Sequence, residues 1–319
     1  MRVLVTGASG AVGARLVPHL VRRGHAVIAT TKTPAKLERL RAMGAEPALL
    51  DGLDAAAVGR VVSRSEPDAI VHEMTSLGGT PDLRRFDRWF ATTNALRTQG
   101  TANLLAAART SGVRRLVVQG YTGWNNPRVG GPVTSEDDGF DPDPAPQQGE
   151  TLAAMRAMEA SVLDGPLEGV VVRYANLYGP GGSEGMVRLL RRRMFPVIGD
   201  GGGVWSWLHL EDAAIGTADA LESAAPGVYN LADDDPAPAR EWLPYLAATV
   251  GAPKPLHIPG WLGRLLAGDA AVQVMTEARG SSNAKAKAAF GWHPTRSSWR
   301  QGFRELAPVA PPVHAGATG

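Results

Sequence analysis

Three glycines at a spacing of three, Gly7, Gly10 and Gly13, carry the first chemical signal in this chain. They follow an apolar run of strand character, Val3 to Val5 with Thr6, and precede residues 11–23, where Val12, Leu16, Leu20 and Val21 recur at helical spacing. Strand, tight turn and helix are what a pyrophosphate requires. The main-chain N–H groups of Ser9, Gly10, Ala11 and Val12 gather at a helix N-terminus, where the partial charge is positive and no Cβ intervenes. Gly13 lets the helix lie close on the strand. The pattern predicts dinucleotide binding.

The second predicted strand, 26–30, decides which nicotinamide cofactor fits. A carboxylate at its end would accept from the adenosine ribose hydroxyls and repel a 2′-phosphate. The chain has Thr30-Thr31-Lys32-Thr33 there. Hydroxyls and a cation suit a 2′-phosphate, and Lys36 adds a second cation one turn on. NADP(H) is expected, with NAD(H) as the alternative.

The elements that must position this turn alternate along the chain. A third strand, 45–50, ends at Asp51-Gly52, and helix 55–64 leads to a fourth strand, 69–72, followed by Glu73-Met74-Thr75. A long helix over 86–110 presents Leu104, Leu105 and Ala108 inward. The fifth strand, 115–118, runs into Gln119-Gly120-Tyr121-Thr122-Gly123-Trp124. Residues 125–148, rich in Pro, Gly and Asp, read as an ordered loop over a site or a mobile lid. Helix 149–163 and strand 169–173 follow. The fold class is α/β, a doubly wound parallel sheet. Shorter elements then alternate: helix 184–193, strand 204–208, helix 212–221, strand 228–231 and helix 240–250. We expect a cofactor domain over 1–174, with some later segments returning to it, a substrate domain over 175–306 and a disordered tail over 307–319.

Composition narrows the function classes. A net charge of +2 over 319 residues argues against nucleic acid or a membrane as partner, and the basic run Arg188 with Arg191, Arg192 and Arg193 reads as a solvated helix end. With no cysteine there is no disulfide framework, thiolate nucleophile or cysteine metal site, and no metal is expected. A first strand beginning at Arg2 and the lack of a long apolar run predict no signal peptide and a cytoplasmic protein. Asp137 and Asp138 read as loop solvation, and His209 as pinning a turn before the next helix.

Thr6 with Gly7-x-x-Gly10-x-x-Gly13, the run Arg173-Tyr174-Ala175-Asn176-Leu177-Tyr178-Gly179-Pro180 and the run Trp207-Leu208-His209-Leu210-Glu211-Asp212 together resemble the extended branch of the short-chain dehydrogenase/reductase superfamily, the NAD-dependent epimerase/dehydratase family. The resemblance covers residues 1–305 and implies a Rossmann-type fold. It also implies Asp51, beside Gly52, against the adenine amino group, and the main chain of Glu73, Met74 and Thr75 on the ribose side. Gln119, Tyr174, Asn176 and Leu177 should lie near the nicotinamide, and helices 86–110 and 149–163 in a four-helix homodimer contact.

Two departures fall at the chemistry. The family carries Tyr-x-x-x-Lys on the helix that is 149–163 here. The spacing puts both side chains on one face, where the lysine lowers the tyrosine pKa. Counting back from Glu159 puts Thr151 at the tyrosine and Met155 at the lysine, and neither titrates near neutrality. Tyr121, ending the fifth strand, is the candidate replacement acid, with Thr122, Thr151 and Glu150 as further polar groups. The family's asparagine on the preceding helix is replaced by Arg97, with Asn94 one turn earlier. The expected function is an NADP(H)-dependent oxidoreductase or epimerase acting on a small carbonyl or sugar-like substrate. A non-redox lyase, isomerase or cyclase and an NADP(H)-sensing protein are the alternatives.

Overall fold

The computed structural model describes residues 1–78 and 82–308. Seven parallel strands form the centre: β1 (Arg2–Thr6), β2 (Ala26–Thr31), β3 (Glu46–Leu49), β4 (Ala69–His72), β5 (Arg115–Tyr121), β6 (Glu168–Tyr174) and β7 (Gly227–Leu231). Their order is β7-β6-β5-β4-β1-β2-β3. The order reverses between β1 and β4, so the carboxyl ends of these two strands flank the crevice where open α/β sheets bind ligands. Helices α1 (Gly13–Arg22), α2 (Leu37–Ala42), α3 (Ala55–Ser65), α4 (Phe86–Ala95), α5 (Thr101–Ala108), α6 (Gly149–Leu163) and α8 (Leu210–Ser223) flank this sheet, whereas α7 (Glu184–Arg191) and α9 (Ala239–Thr249) pack beside it in a separate core. In β1, Val3 and Val5 join the core layer that holds residues of α1 and α8, whereas Leu4 joins the layer of α3 and α5. A strand buried on both faces reads as a continuous apolar run for this reason.

The helix expected over 86–110 is interrupted by a wider π-helical turn, Leu96–Gly100, between α4 and α5. His72, at the end of β4, lies against it, with Nε2 3.3 Å from the Leu96 carbonyl. Its Nδ1 accepts from the Met74 amide at 3.2 Å, so Nε2 carries the proton. Burial lowers the His72 pKa to about 4, and the ring is neutral.

Two segments expected in the smaller domain belong to the central layers. The strand predicted over 228–231 is β7, paired with β6, and α8 packs against α1. A third core, with Tyr178, Trp207, Trp242, Trp299 and Phe303, holds the remaining later elements together. Trp292 is buried in the sheet layer and Trp261 is exposed. His209 does pin the turn before α8, its Nδ1 accepting from the Glu211 amide at 3.2 Å.

Segment 125–148 is an ordered loop. Residues Val133–Thr134 pair with Gly280–Ser281. The Arg279 guanidinium donates to the carbonyls of Pro127, Val129 and Val133 at 3.1, 2.8 and 3.0 Å, and also to that of Gly131. Arg128 bridges Asp141 at 2.8 Å and Glu277 at 2.9 Å. From residue 309 on, the predicted tail lies outside the described residues. Among the described residues no helix is long and apolar enough to cross a membrane.

Candidate cofactor and substrate site

The turn after β1 is shaped by contact. Gly7 has φ +74°, and a Cβ there would run into the Glu73 carbonyl at the end of β4. A Cβ on Gly13 would come within 2.6 Å of the Gly7 oxygen. The amides of Ala11 and Val12 donate to no protein acceptor among the described residues, while the Gly10 carbonyl receives Ala14 N at 3.0 Å. Amides without protein acceptors at the start of α1 fit a pyrophosphate.

Around the turn, Ser9 Oγ and Thr31 Oγ1 lie 3.0 Å apart, and Thr31 also accepts from the Thr33 amide at 3.2 Å. Lys32 is exposed and has no ion pair among the described residues. Asp51 is exposed and its Oδ1 caps the Leu53 amide at 3.0 Å. A Cβ on Gly52 would meet Met74 Sδ at 2.5 Å, so Met74 fills the space that this glycine leaves. Thr75 is exposed, and Gln119, Asn176 and Leu177 are half-buried. All of these stand at the carboxyl edge of the sheet.

The Glu73 side chain turns inward. Tyr174 Oη lies 2.7 Å from Glu73 Oε1 and 2.5 Å from Thr217 Oγ1, and Thr217 donates to the Ala213 carbonyl at 2.7 Å. These contacts order the protons. If Glu73 is protonated it donates to Tyr174, Tyr174 to Thr217 and Thr217 to the carbonyl, so each close approach holds one proton. Burial raises the Glu73 pKa to about 8 against the pull of the Tyr174 hydroxyl, consistent with a neutral acid at pH 7. The Tyr174 phenol is pushed well above its ordinary value, by burial and then by Glu73.

The four residues singled out for chemistry are not brought to one point. Tyr121 donates to Asn176 Oδ1 at 2.8 Å, and burial raises its pKa. Thr122 is buried, 3.0 Å from Asn126 Oδ1 and 2.7 Å from Ser281 Oγ, within the contacts that tie down the loop. Thr151 is fully buried and gives its amide and hydroxyl to Asp87 of α4. The Glu150 amide also goes to Asp87, at 3.0 Å, and the Glu150 side chain is exposed. Met155 is 2% exposed and packs in the core.

Next to Tyr121 is a run of rings. Trp124 stacks on Tyr121 with centroids 6.2 Å apart, Phe86 meets Trp124 edge-on at 4.9 Å, and Phe90 lies 4.6 Å from Phe86. Asn94 donates to Thr151 Oγ1 at 3.0 Å. Deeper lie Arg97, Glu159 and Arg173, all buried. Sequence reading passed over Asp87, Phe86 and Phe90. For the rings the available signal was their spacing of four on one helix face; for Asp87 there was none, because its partner is 64 residues away.

The profile of the NAD dependent epimerase/dehydratase family matches residues 3–232. The chain is 41% identical over 312 residues, 95% of its length and 99% of the relative's, to a Streptomyces protein described as a 3-diazoavenalumate denitrifying reductase. It is 30% identical to the 2-alkyl-3-oxoalkanoate reductase of Stenotrophomonas maltophilia, over 80% of this chain and 77% of that one. Among solved structures, the UDP-glucose 4-epimerase of Thermotoga maritima superposes with a TM-score of 0.74 at 23% identity, covering 96% and 97% of the two chains. That of Thermus thermophilus, a complex with NAD, gives 0.71 at 25% identity over 96% and 97%. The glycine turn, the sheet order and these relatives lead to one assignment: the chain belongs to the NAD-dependent epimerase/dehydratase family and is an NAD(P)-dependent enzyme of its extended short-chain dehydrogenase/reductase type.

Proposed function

We propose that this chain is an NADP(H)-dependent reductase that delivers hydride to the diazo-bearing carbon of an aromatic acid, with loss of nitrogen. The observation that carries the reading is the replacement of the tyrosine–lysine pair by Thr151 and Met155, both buried and both committed to packing or capping. Reduction of a carbonyl places charge on oxygen and calls for a proton donor. Substitution at a diazonium carbon does not: the hydride pair forms the C–H bond, the C–N pair leaves with N2, and a neighbouring phenolate oxygen can take its proton from water. The similarity to a denitrifying reductase along nearly the whole chain supports the same class of reaction.

When bound, the reduced nicotinamide supplies the hydride. The amides after Gly10 would hold the pyrophosphate, and Thr31 and Lys32 would receive the 2′-phosphate. Tyr121, Trp124, Phe86 and Phe90 offer an apolar wall for a substrate ring. A cytoplasmic setting suits an NADPH-consuming enzyme. The test is turnover of 3-diazo-4-hydroxycinnamic acid with NADPH deuterated at the transferable position. Deuterium on the ring carbon with release of N2 supports the reading; no deuterium transfer and no N2 would sink it.

A second reading is carbonyl reduction with Tyr121 as the acid, favoured by its position at the end of β5 and by the oxoalkanoate reductase relative. Under either reading we propose a homodimer through α4 and α6. Ala91, Thr92, Ala153, Ala157 and Ala160 are exposed on these helices and small enough for close helix approach. Light scattering that reports a monomer at micromolar concentration would exclude it.

A further inference from the structure

Arg97 is a buried cation whose counter-ion is already taken. Only 8% of its surface is exposed. The carboxylate that acts on it, Glu159, is held at both oxygens by Arg173, with Nε to Oε1 at 2.8 Å and Nη2 to Oε2 at 2.6 Å. Glu159 and Arg173 are each 5% exposed, so this buried group holds two guanidiniums and one carboxylate. His72, which also feels Arg97, is neutral. Phe140 lies over Arg173 and adds no charge.

The hydrogen bonding of Arg97 is equally incomplete. A guanidinium has five N–H donors. Among the described residues the Arg97 guanidinium makes one hydrogen bond, from Nη1 to Asn94 Oδ1 at 3.4 Å, beyond the usual N–H···O range. The Phe90 ring lies 5.7 Å from the guanidinium carbon. The residue stands in the π-helical turn, a distortion that recurs at functional sites. Phe86, Phe90, Asn94 and Arg97 follow one another at helical spacing, so one face runs from rings through an amide to a cation.

We propose that Arg97 is the anion receptor of the substrate site, its guanidinium taking the carboxylate of an aromatic acid whose ring lies against Phe90, Phe86 and Trp124. The inference rests on the reading of the substrate as an aromatic acid, but not on the diazo chemistry. A charge-assisted pair in a low-dielectric setting supplies the missing counter-ion only when ligand is bound. The empty protein then carries an uncompensated buried charge, and an apolar replacement should not destabilise it.

The experiment compares trans-cinnamate with its neutral amide, trans-cinnamamide, binding to the NADP⁺-loaded protein, followed by tryptophan fluorescence and by melting temperature. We expect the wild type to bind the carboxylate at least tenfold more tightly than the amide. Arg97→Met should bind both alike, retain its NADP⁺ affinity and melt at or above the wild-type temperature without ligand, and Arg97→Lys should keep part of the preference. Arg97→Gln, which preserves a donor toward Asn94, guards against failure of the Met variant to fold and should also lose the preference. A wild type indifferent to the charge, or a preference surviving in Arg97→Gln, overturns the proposal. Neither probe carries a diazo group and nothing turns over, so failure here leaves the reductive reading standing, and failure of that reaction leaves the binding result intact.

Discussion

Asp87 Oδ1 accepts both the amide and the hydroxyl of Thr151, at 2.8 and 2.6 Å, and so caps α6 from the neighbouring helix α4. Thr151, which the resemblance places at the family's tyrosine, stands in the first turn of α6. Asp87→Ala should therefore lower stability by about 1 to 2 kcal/mol, the range for a lost cap. Thr151→Ala should leave kcat at the wild-type value while lowering the melting temperature. A large fall in kcat with an unchanged melting temperature would return Thr151 to the chemistry.

Tyr121 separates the two readings of the reaction. Its phenol is directed to Asn176, and a hydride substitution needs no proton from it. Tyr121→Phe should keep turnover of a diazo acid. With a carbonyl substrate the same change should lower kcat by about 10²- to 10⁴-fold, the usual contribution of a positioned acid. Steady-state kinetics on both substrate types decides.

Lys32 should set cofactor choice. Lys32→Ala should weaken NADPH binding by about 1 to 3 kcal/mol and leave NADH binding unchanged, because only the 2′-phosphate reaches the side chain. Equal effects on the two cofactors, or equal wild-type affinities, would remove the NADP(H) preference.

Glu73 makes stability depend on pH in a definite direction. Its pKa rises from 4.5 to about 8 on folding, so between those values the unfolded chain releases a proton that the folded chain keeps. Stability from this group is fully present below about pH 4.5 and declines toward pH 8, at no more than about 1.4 kcal/mol per pH unit. Glu73→Gln, whose amide can still donate to Tyr174, should flatten the profile and gain on the wild type as pH rises. Denaturant midpoints at pH 5, 6.5 and 8 measure the difference, and parallel profiles would mean that Glu73 is ionised in the folded protein.

What was legible in the sequence was local. The Gly7–Gly13 turn could be read because its requirement is steric and contiguous, and α6 spans Gly149–Leu163, the bounds recognised from Ala157, Glu159, Ala160 and Val162. The long helix was found, but its π-helical turn was not, since that distortion accompanies contact with His72 across the layer. The strand over 228–231 was visible as a strand, whereas its residues say nothing about its partner, and it joins β6, paired from Gly227↔Val170 onward. Thr151 and Met155 were recognised as departures by counting. What replaced their function in the architecture depended on Asp87, and the surplus charge at Arg97 depended on Glu159 meeting Arg173; both are sums over residues far apart in the chain.

The fastening of segment 125–148 by Arg279 and the Gly280–Ser281 pairing has a consequence for biosynthesis. Its fixing points are separated by about 150 residues, as in the Arg279 bonds to the Pro127 and Val129 carbonyls. A ribosome that has released the first six strands has completed the glycine turn but not the clasp over the end of β5. During elongation at about 5 to 20 residues per second, the nascent chain spends many seconds with Thr122 and Asn126 lacking their Arg279 and Ser281 partners. The chain therefore completes the glycine turn well before the strap across the end of β5 is fastened, and the order of synthesis separates the two halves of the crevice in time.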